Sequence, residues 1–189
     1  GIDPGLNGAA VALDEYGELL GWKALPHLKE IPCYRKDRHR SVLDVTLLDA
    51  WFRSFTQIER ICVEESPPFS MGVTSAYTSG FNSGMLHALC VGWMGIPRSY
   101  MKHGQPLADI LDTESWFSTV SPKVWQSNLF NNKGKWSKDN SIKYAQERHG
   151  KLTMFEKPKR TSDGFSDACH IAEWGRQCVL ECPDWGVLL

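Results

Sequence analysis

The chain lacks the run of roughly 20 apolar residues that a membrane-spanning helix needs, so we expect no membrane partner. It also lacks a charged and then apolar secretory leader, although it opens inside a strand pattern, which predicts a truncated N-terminus. Internal repeats and low-complexity segments do not occur in the sequence. With 42% apolar and 23% charged residues, the 189 residues predict a single globular domain spanning 1–189.

Cysteine is present, but no CxxC pair occurs. The six cysteines are Cys33, Cys62, Cys90, Cys169, Cys178 and Cys182. Several fall in apolar strand or helix patterns, so we expect reduced thiols buried as small hydrophobic residues. The spacing of the last two does not suit a structural zinc site.

A surplus of positive charge is lacking too, since the formal net charge is −1, which by itself argues against a nucleic-acid binder. The charge is unevenly distributed, however. Nine Lys or Arg residues and three Asp or Glu residues lie between 131 and 160, and the basic run YRKDRHR covers 34–40. This uneven distribution would arise if the acidic residues were concentrated at a metal site and the basic residues lined the surface leading to it. Ordinary solvated faces are the alternative.

Apolar periodicity and turn residues predict an α/β domain with a mixed sheet. Strands are predicted at residues 1–3, 9–13, 18–25, 60–65 and 115–120, the first three as an antiparallel meander with a hairpin turn at 14–17. Helices are predicted at 42–55, 75–91, 122–130, from Ser137 as the cap to 149, and from Ser162 as a candidate cap to 180. Residues 98–114 have no clean period and are predicted to be an insertion.

Four acids stand out by their positions in these elements. Asp3 ends the first strand, Glu64 ends the fourth, and Asp163 and Asp167 lie four residues apart in the last helix. Residues i and i+4 share one helix face, and ligands of open α/β sheets bind outside the carboxyl ends of the strands. We therefore expect the four carboxylates to converge.

Each acid also has a simpler explanation. Either helical acid could favour the helix N-terminus through the macrodipole, and Asp3 could cap the turn that follows it. Glu65 competes with Glu64, because adjacent strand residues face opposite ways.

Clustered carboxylates repel one another and raise each other's pKa unless a cation neutralises them. Oxygen ligands of this kind suit Mg²⁺ or Mn²⁺, and two such ions can clamp the attacking water and the leaving oxygen of a phosphodiester. The pattern thus predicts metal-assisted phosphodiester hydrolysis. His170, three residues after Asp167, is either an acid or water-positioning group or a packed or solvent-facing histidine.

Four motifs in order, GIDPGLNGA, ICVEES, SPKVWQ and SDGFSDACHIAEWG, resemble the RuvC-like Holliday junction resolvases of the ribonuclease H-like superfamily. The match is closest to the branch containing the chloroplast resolvase and phage-type relatives, and it covers most of residues 1–176. The resemblance implies a ribonuclease H-like fold, with a five-stranded mixed sheet flanked by helices. It also implies a homodimer that cuts a four-way DNA junction by paired symmetric nicks with Mg²⁺, for which Mn²⁺ can substitute.

Carried over by position, the resemblance implies four acids that act in catalysis and bind metal, and it selects Glu64 over Glu65. These acids are Asp3, Glu64, Asp163 and Asp167. The DNA-binding residues that it and the basic runs indicate are Arg35, Lys36, Arg38, Arg40, Lys123, Lys133, Lys135, Lys138 and Lys143, with Phe69 and Met71 as wedges at the junction centre.

The chain departs from the resemblance at Gln126, where relatives have a lysine expected near the scissile phosphate. Either Lys123 or Lys138 substitutes for that lysine, or the rate suffers. A catalytically inactive junction-binding protein is therefore the alternative function.

An actin-like ATPase or sugar kinase shares the early Asp-Gly strand turn. It would need a second glycine-rich phosphate motif and a longer chain, and neither is present. We expect an intracellular, reducing setting, either bacterial or phage-infected cytoplasm or a DNA-containing organelle.

Overall fold

A computed structural model describes residues 1–30, 40–65, 73–94, 116–130, 137–150 and 159–181. These residues form a mixed α/β arrangement, which confirms the predicted class. The strands are β1 (Ala9–Leu13), β2 (Leu19–Ala24), β3 (His27–Glu30), β4 (Arg40–Leu43), β5 (Arg60–Glu64) and β6 (Trp116–Val120). The helices are α1 (Val45–Phe52), α2 (Val73–Met94), α3 (Pro122–Phe130), α4 (Lys138–His149) and α5 (Lys159–Glu181). Across the described ranges, no helix is long and apolar enough to cross a membrane.

The predicted hairpin between β1 and β2 is present. The two strands pair antiparallel, and the turn between them is held by Asp14, whose Oδ1 accepts from the Tyr16 and Glu18 backbone N–H groups at 2.9 and 2.8 Å. Gly17 has φ of 86° there, a conformation that glycine adopts without a Cβ clash. The turn chemistry of residues 14–17 was therefore sufficient to predict this hairpin.

The N-terminal residues lie between two strand pairs. Ile2 forms an antiparallel bridge with Ala10 of β1 and a parallel bridge with Val63 of β5, which pairs parallel with β6. The Ile2 N–H donates to the Cys62 carbonyl at 2.8 Å, and the Glu64 N–H donates to the Ile2 carbonyl at 2.9 Å. The start of the chain thus runs beside β5, and both segments end at the same side of the structure.

One predicted helix boundary is wrong. The helix predicted over 42–55 begins at Val45, because Asp44 caps it by accepting from the Leu47 N–H at 3.1 Å, and residues 40–43 instead form β4. Strand β4 pairs with β3, and the Leu43 N–H donates to Asn82 of α2 at 3.0 Å. This hairpin depends on a partner 39 residues away, which helical periodicity within one segment does not detect.

The start of the last helix is also corrected. Helix α5 begins at Lys159, so Ser162 lies within the helix and does not cap it. The predicted cap at Ser137 is confirmed, since its side chain accepts from the Asn140 N–H at 3.2 Å. The basic run at 34–39 and the predicted insertion at 98–114 lie outside the described residues.

Strand β5 is covered by helices on both faces, and its successive residues point alternately to one side and the other. Ile61 and Val63 of β5 join a core cluster with α1 and α2, whereas Cys62 between them faces a cluster that includes Trp125 and Ile171. This alternation is the period-two pattern of a strand covered on both faces. Of the cysteines in the described ranges, Cys62, Cys90 and Cys169 are buried and form no disulfide, as expected, whereas Cys178 is only partly buried.

Helix α5 packs unusually close to the loop that follows Asp3. A Cβ atom built on Gly164 would collide with the Asn7 carbonyl oxygen and lie 2.8 Å from Gly8 Cα, and a Cβ on Gly8 would collide with the Asp3 carbonyl oxygen. Glycine at these two positions lets backbone meet backbone. The contact brings the first turns of α5 against the residues around Asp3.

Replacing Gly164 by alanine should destabilise the protein by about 1–3 kcal/mol, because the added methyl group has no space and α5 must shift. The matched control is Gly84→Ala in α2, where a Cβ meets nothing within 4 Å in the described structure. That variant should be neutral or more stable by up to about 1 kcal/mol. Chemical denaturation measures both, and equal stability of the two variants would contradict the close packing.

Candidate metal centre

The four predicted acids come from three elements that meet at one place. Asp3 directly follows Ile2, and Glu64 ends the neighbouring β5, whose backbone hydrogen-bonds to Ile2. Asp163 and Asp167 lie in the part of α5 that packs on the loop after Asp3. The structure therefore brings the four acids close enough to act on one another's charge, at the ends of two parallel segments and in the first turns of a helix.

The electrostatics of Asp3 reflect this convergence. Burial raises the pKa of the Asp3 carboxyl above its ordinary value, and the negative charge of Asp163 acts in the same direction. The Gly5 backbone N–H opposes the rise by donating to Asp3 Oδ1 at 2.9 Å. Asp3 thus holds the turn that follows it and also faces another carboxylate. Both interpretations of Asp3, as the cap of a turn and as a member of the acid cluster, therefore agree with the structure.

Glu64 is held by a tryptophan. Burial, together with the charges of Asp3 and Asp167, raises the pKa of Glu64 to about 7. The Trp125 indole N–H donates to Glu64 Oε2 at 2.8 Å and partly opposes this rise. Glu65 is exposed and accepts instead from the Thr119 hydroxyl at 3.1 Å. Of the two adjacent acids, Glu64 is therefore the one that faces the cluster.

Asp167 is held by a serine on the neighbouring helix. Burial, together with the charges of Asp3 and Asp163, raises the pKa of Asp167 to about 7. The Ser141 hydroxyl of α4 donates to Asp167 Oδ1 at 2.8 Å and opposes the rise. The carboxylate orientation is thus fixed by a residue outside the motif that contains it.

Lys138, the first residue of α4, donates from Nζ to Asp163 Oδ2. This hydrogen bond raises the pKa of the Lys138 ammonium, and the Lys138 charge in turn opposes the rise in pKa at Asp3, Glu64 and Asp167. The other Asp163 oxygen, Oδ1, is buried and has no hydrogen-bond partner among the described residues. The cluster therefore contains one lysine and one unsatisfied carboxylate oxygen.

His170 connects the residues that hold the acids. Its ring stacks on Trp125 with 6.0 Å between centroids, and its Nε2 hydrogen-bonds to the Ser141 carbonyl at 3.0 Å. His170 is buried at 8% exposure. The packed-histidine interpretation describes these contacts, and the ring contacts the Trp125 side chain and the Ser141 backbone, which belong to the two residues that orient Glu64 and Asp167.

Sequence reasoning assigned no role to Trp125 or Ser141. A signal for Trp125 was present, because it lies on the helix that follows β6, whose parallel partner β5 ends at Glu64. Ser141 lies one helical turn after the Ser137 cap. Nothing in the sequence around it indicates that its hydroxyl bonds to Asp167. The pairing with Asp167 spans 26 residues and depends on how α4 lies against α5.

The predicted DNA-binding residues are partly described. Lys123 is exposed on α3, and Lys143 is exposed on α4 with Nζ 3.8 Å from Glu147. Lys138 contacts Asp163 as described above, and the backbone of Arg40 belongs to β4. The remaining predicted contacts lie outside the described residues: Arg35, Lys36, Arg38, Phe69, Met71, Lys133 and Lys135. The role of this set in binding DNA stays a prediction.

The donor chemistry of the cluster fits a hard divalent cation. Carboxylate oxygens are its preferred ligands, and the unsatisfied Asp163 Oδ1 is an oxygen that such an ion would use. A cation would also reverse the repulsion that raises the carboxyl pKa values. As the side chains stand, however, no group of three or more His, Cys, Asp or Glu residues in the described ranges is arranged to hold a metal ion.

The fold and this site define a class of protein, an α/β domain with a partly buried carboxylate cluster where two parallel segments end. No protein-family model matches the chain, and a search of curated proteins finds no match.

Raised carboxyl pKa values predict that the metal-free protein loses stability as pH rises. In the unfolded chain Glu64 and Asp167 ionise at ordinary acidic pKa values, so from about pH 4 to pH 7 the folded state binds more protons than the unfolded state. Stability should fall through this window. With EDTA present, Glu64→Gln should reduce the fall in Tm between about pH 5 and pH 8 by roughly 3 °C or more.

The matched control for this pH dependence is Glu65→Gln, which removes the adjacent exposed carboxyl. Its Tm should change with pH as that of the unmodified protein does. Thermal melts at several pH values measure all three proteins. An identical slope for Glu64→Gln and the unmodified protein would show that Glu64 ionises normally.

Replacing Trp125 by phenylalanine keeps an aromatic ring and removes the N–H donor to Glu64. Because that hydrogen bond opposes the rise in pKa, the pKa of Glu64 should increase further in the variant. NMR titration of the Glu64 side-chain carbon measures the change. Trp93→Phe is the control, since Trp93 donates at 2.8 Å to Asp49, a carboxylate outside the cluster. An unchanged Glu64 pKa in Trp125→Phe would contradict this role.

Proposed function

We propose that the chain is a divalent-metal-dependent endonuclease that resolves four-way DNA junctions by paired symmetric nicks as a homodimer. The observation that supports this function best is the convergence of Asp3, Glu64, Asp163 and Asp167 from three separate elements. Four partly buried carboxylates placed close together repel one another unless a cation neutralises them, so a structural role alone gives no reason for the arrangement. All four acids lie in three of the four resolvase-like motifs.

The proposed function also implies a single five-stranded sheet. The two bridges made by Ile2 connect the β1–β2 pair to the β5–β6 pair. If the N-terminal segment counts as a strand, the order is β2, β1, the N-terminal segment, β5 and β6, with antiparallel and parallel neighbours. We propose that these form the five-stranded mixed sheet of a ribonuclease H-like domain.

The four carboxylates would hold Mg²⁺ or Mn²⁺ in this function. Such a cation supplies activation of water and stabilisation of charge on the leaving 3′ oxygen when it is bound. The chain's own residues orient the ligands: Trp125 holds Glu64, and Ser141 holds Asp167. Exposed lysines such as Lys123 and Lys143 are available to contact phosphates and make binding depend on salt concentration.

A second function is favoured by two specific observations. Gln126 replaces the lysine expected from the resemblance, and in the described residues no group of three or more candidate ligands is arranged to hold an ion. An inactive protein that binds junction DNA without cutting it would have both features. The two functions differ in one measurable property, which is cleavage in the presence of metal.

Purified protein should nick a labelled synthetic four-way junction symmetrically in Mg²⁺ and leave a matched linear duplex intact. EDTA should abolish the nicks. Asp167→Asn and Glu64→Gln should each reduce the cleavage rate by about 100-fold or more, because each removes a carboxylate that would hold the cation on which stabilisation of the leaving oxygen depends. Denaturing gels measure the nicks, and light scattering measures whether the active species is a dimer.

The matched control for cleavage is Glu65→Gln, which removes the neighbouring exposed acid and should cut at the rate of the unmodified protein. Tight junction binding without cleavage in either Mg²⁺ or Mn²⁺ would instead support the inactive binding protein. Cleavage of the linear duplex at a similar rate would support a nuclease without selectivity for junctions.

A further inference from the structure

Lys138 contacts the acid cluster through its ammonium group, although most of its side chain is exposed. Its side chain is 59% exposed, whereas that of Asp163, the carboxylate it contacts, is 14% exposed. The ammonium group thus reaches inward from an exposed stem. Such a side chain can leave the cluster by rotating into solvent, without moving the helix that carries it.

Helix α4 is held in place by contacts that do not involve Lys138. Ser137 caps it, Ser141 bonds to Asp167, and Ala145 is fully buried. Farther along, Arg148 pairs at 3.1 Å with Glu173 of α5. Releasing the Lys138 ammonium would therefore leave the packing of α4 on α5 intact.

The contact of Lys138 with Asp163 satisfies only part of that carboxylate. The lysine reaches Oδ2, and the buried Oδ1 has no partner among the described residues. A divalent cation carries twice the charge of an ammonium group and can use both carboxylate oxygens. The lysine and the cation would therefore need the same carboxylate, and the cation would satisfy it more fully.

We propose that Lys138 is a built-in counter-ion of the acid cluster, which competes with the divalent cation for Asp163 and is released when the cation binds. This inference rests on the proposed metal site and adds a means of regulating it. The cluster stays neutralised in the metal-free protein, and the cost of displacing the lysine weakens metal binding. The released ammonium is then free at the rim of the cluster.

Lys138→Met should bind Mn²⁺ at least about threefold more tightly than the unmodified protein, because the competing charge is gone and the apolar stem is kept. Lys138→Arg keeps a charged competitor and should bind Mn²⁺ no more tightly than the unmodified protein. Lys143→Met on the same helix is the matched control for loss of one charge, since its partner is Glu147. The electron paramagnetic resonance signal of free Mn²⁺ measures these affinities without DNA or turnover.

A double-mutant cycle separates competition for Asp163 from a general field effect. In an Asp163→Asn background the lysine has no carboxylate to compete for, so adding Lys138→Met should change Mn²⁺ affinity by less than about 1.5-fold. A threefold gain that persists in that background would overturn the inference and support a field effect alone. Circular dichroism establishes that each variant is folded.

Two other outcomes distinguish this inference from the function it rests on. Mn²⁺ binding by the unmodified protein that Lys138→Met leaves unchanged would overturn the counter-ion role and leave the metal site intact. Failure of both the unmodified protein and Lys138→Met to bind Mn²⁺ would overturn the metal site, and the counter-ion role with it.

Discussion

The backbone of α5 lies directly against the loop after Asp3, because Gly164 has no Cβ atom where it meets the backbone of Asn7 and Gly8. This approach places Asp163 next to Asp3 and turns Asp167 towards Glu64. Gly1 continues the contact along the helix, since a Cβ there would collide with the backbone at Ala168 and Ala172. The geometry of the acid cluster follows from how closely these two backbones can pack.

That packing has an electrostatic consequence. Carboxylates moved out of water and next to one another are destabilised in their charged form, which is the cause of the raised pKa values at Asp3, Glu64 and Asp167. Lys138 compensates part of this repulsion in the metal-free chain. The same helix start that carries Lys138 also places Ser141 on Asp167, so α4 both neutralises the cluster and orients one of its members.

Several contacts around the acids connect to each other. Trp125 holds Glu64, His170 stacks on Trp125 and bonds to the Ser141 carbonyl, and the Ser141 hydroxyl holds Asp167. Three helices thereby orient acids that lie on β5 and α5. A buried network of this kind fixes side-chain directions more firmly than exposed residues can, because each member limits the rotamers of the next.

Local chemistry in the sequence determined the α/β class, the hairpin turn at 14–17, the Ser137 cap and the four candidate acids, because each depends on residues a few positions apart. Tertiary structure decided the rest. The β3–β4 pairing joins strands whose register the local pattern did not predict. The contacts of Trp125 with Glu64, Ser141 with Asp167 and Lys138 with Asp163 all join residues far apart in the chain. Periodicity describes which face a residue occupies on its own element, whereas these partners depend on the distance at which separate elements pack.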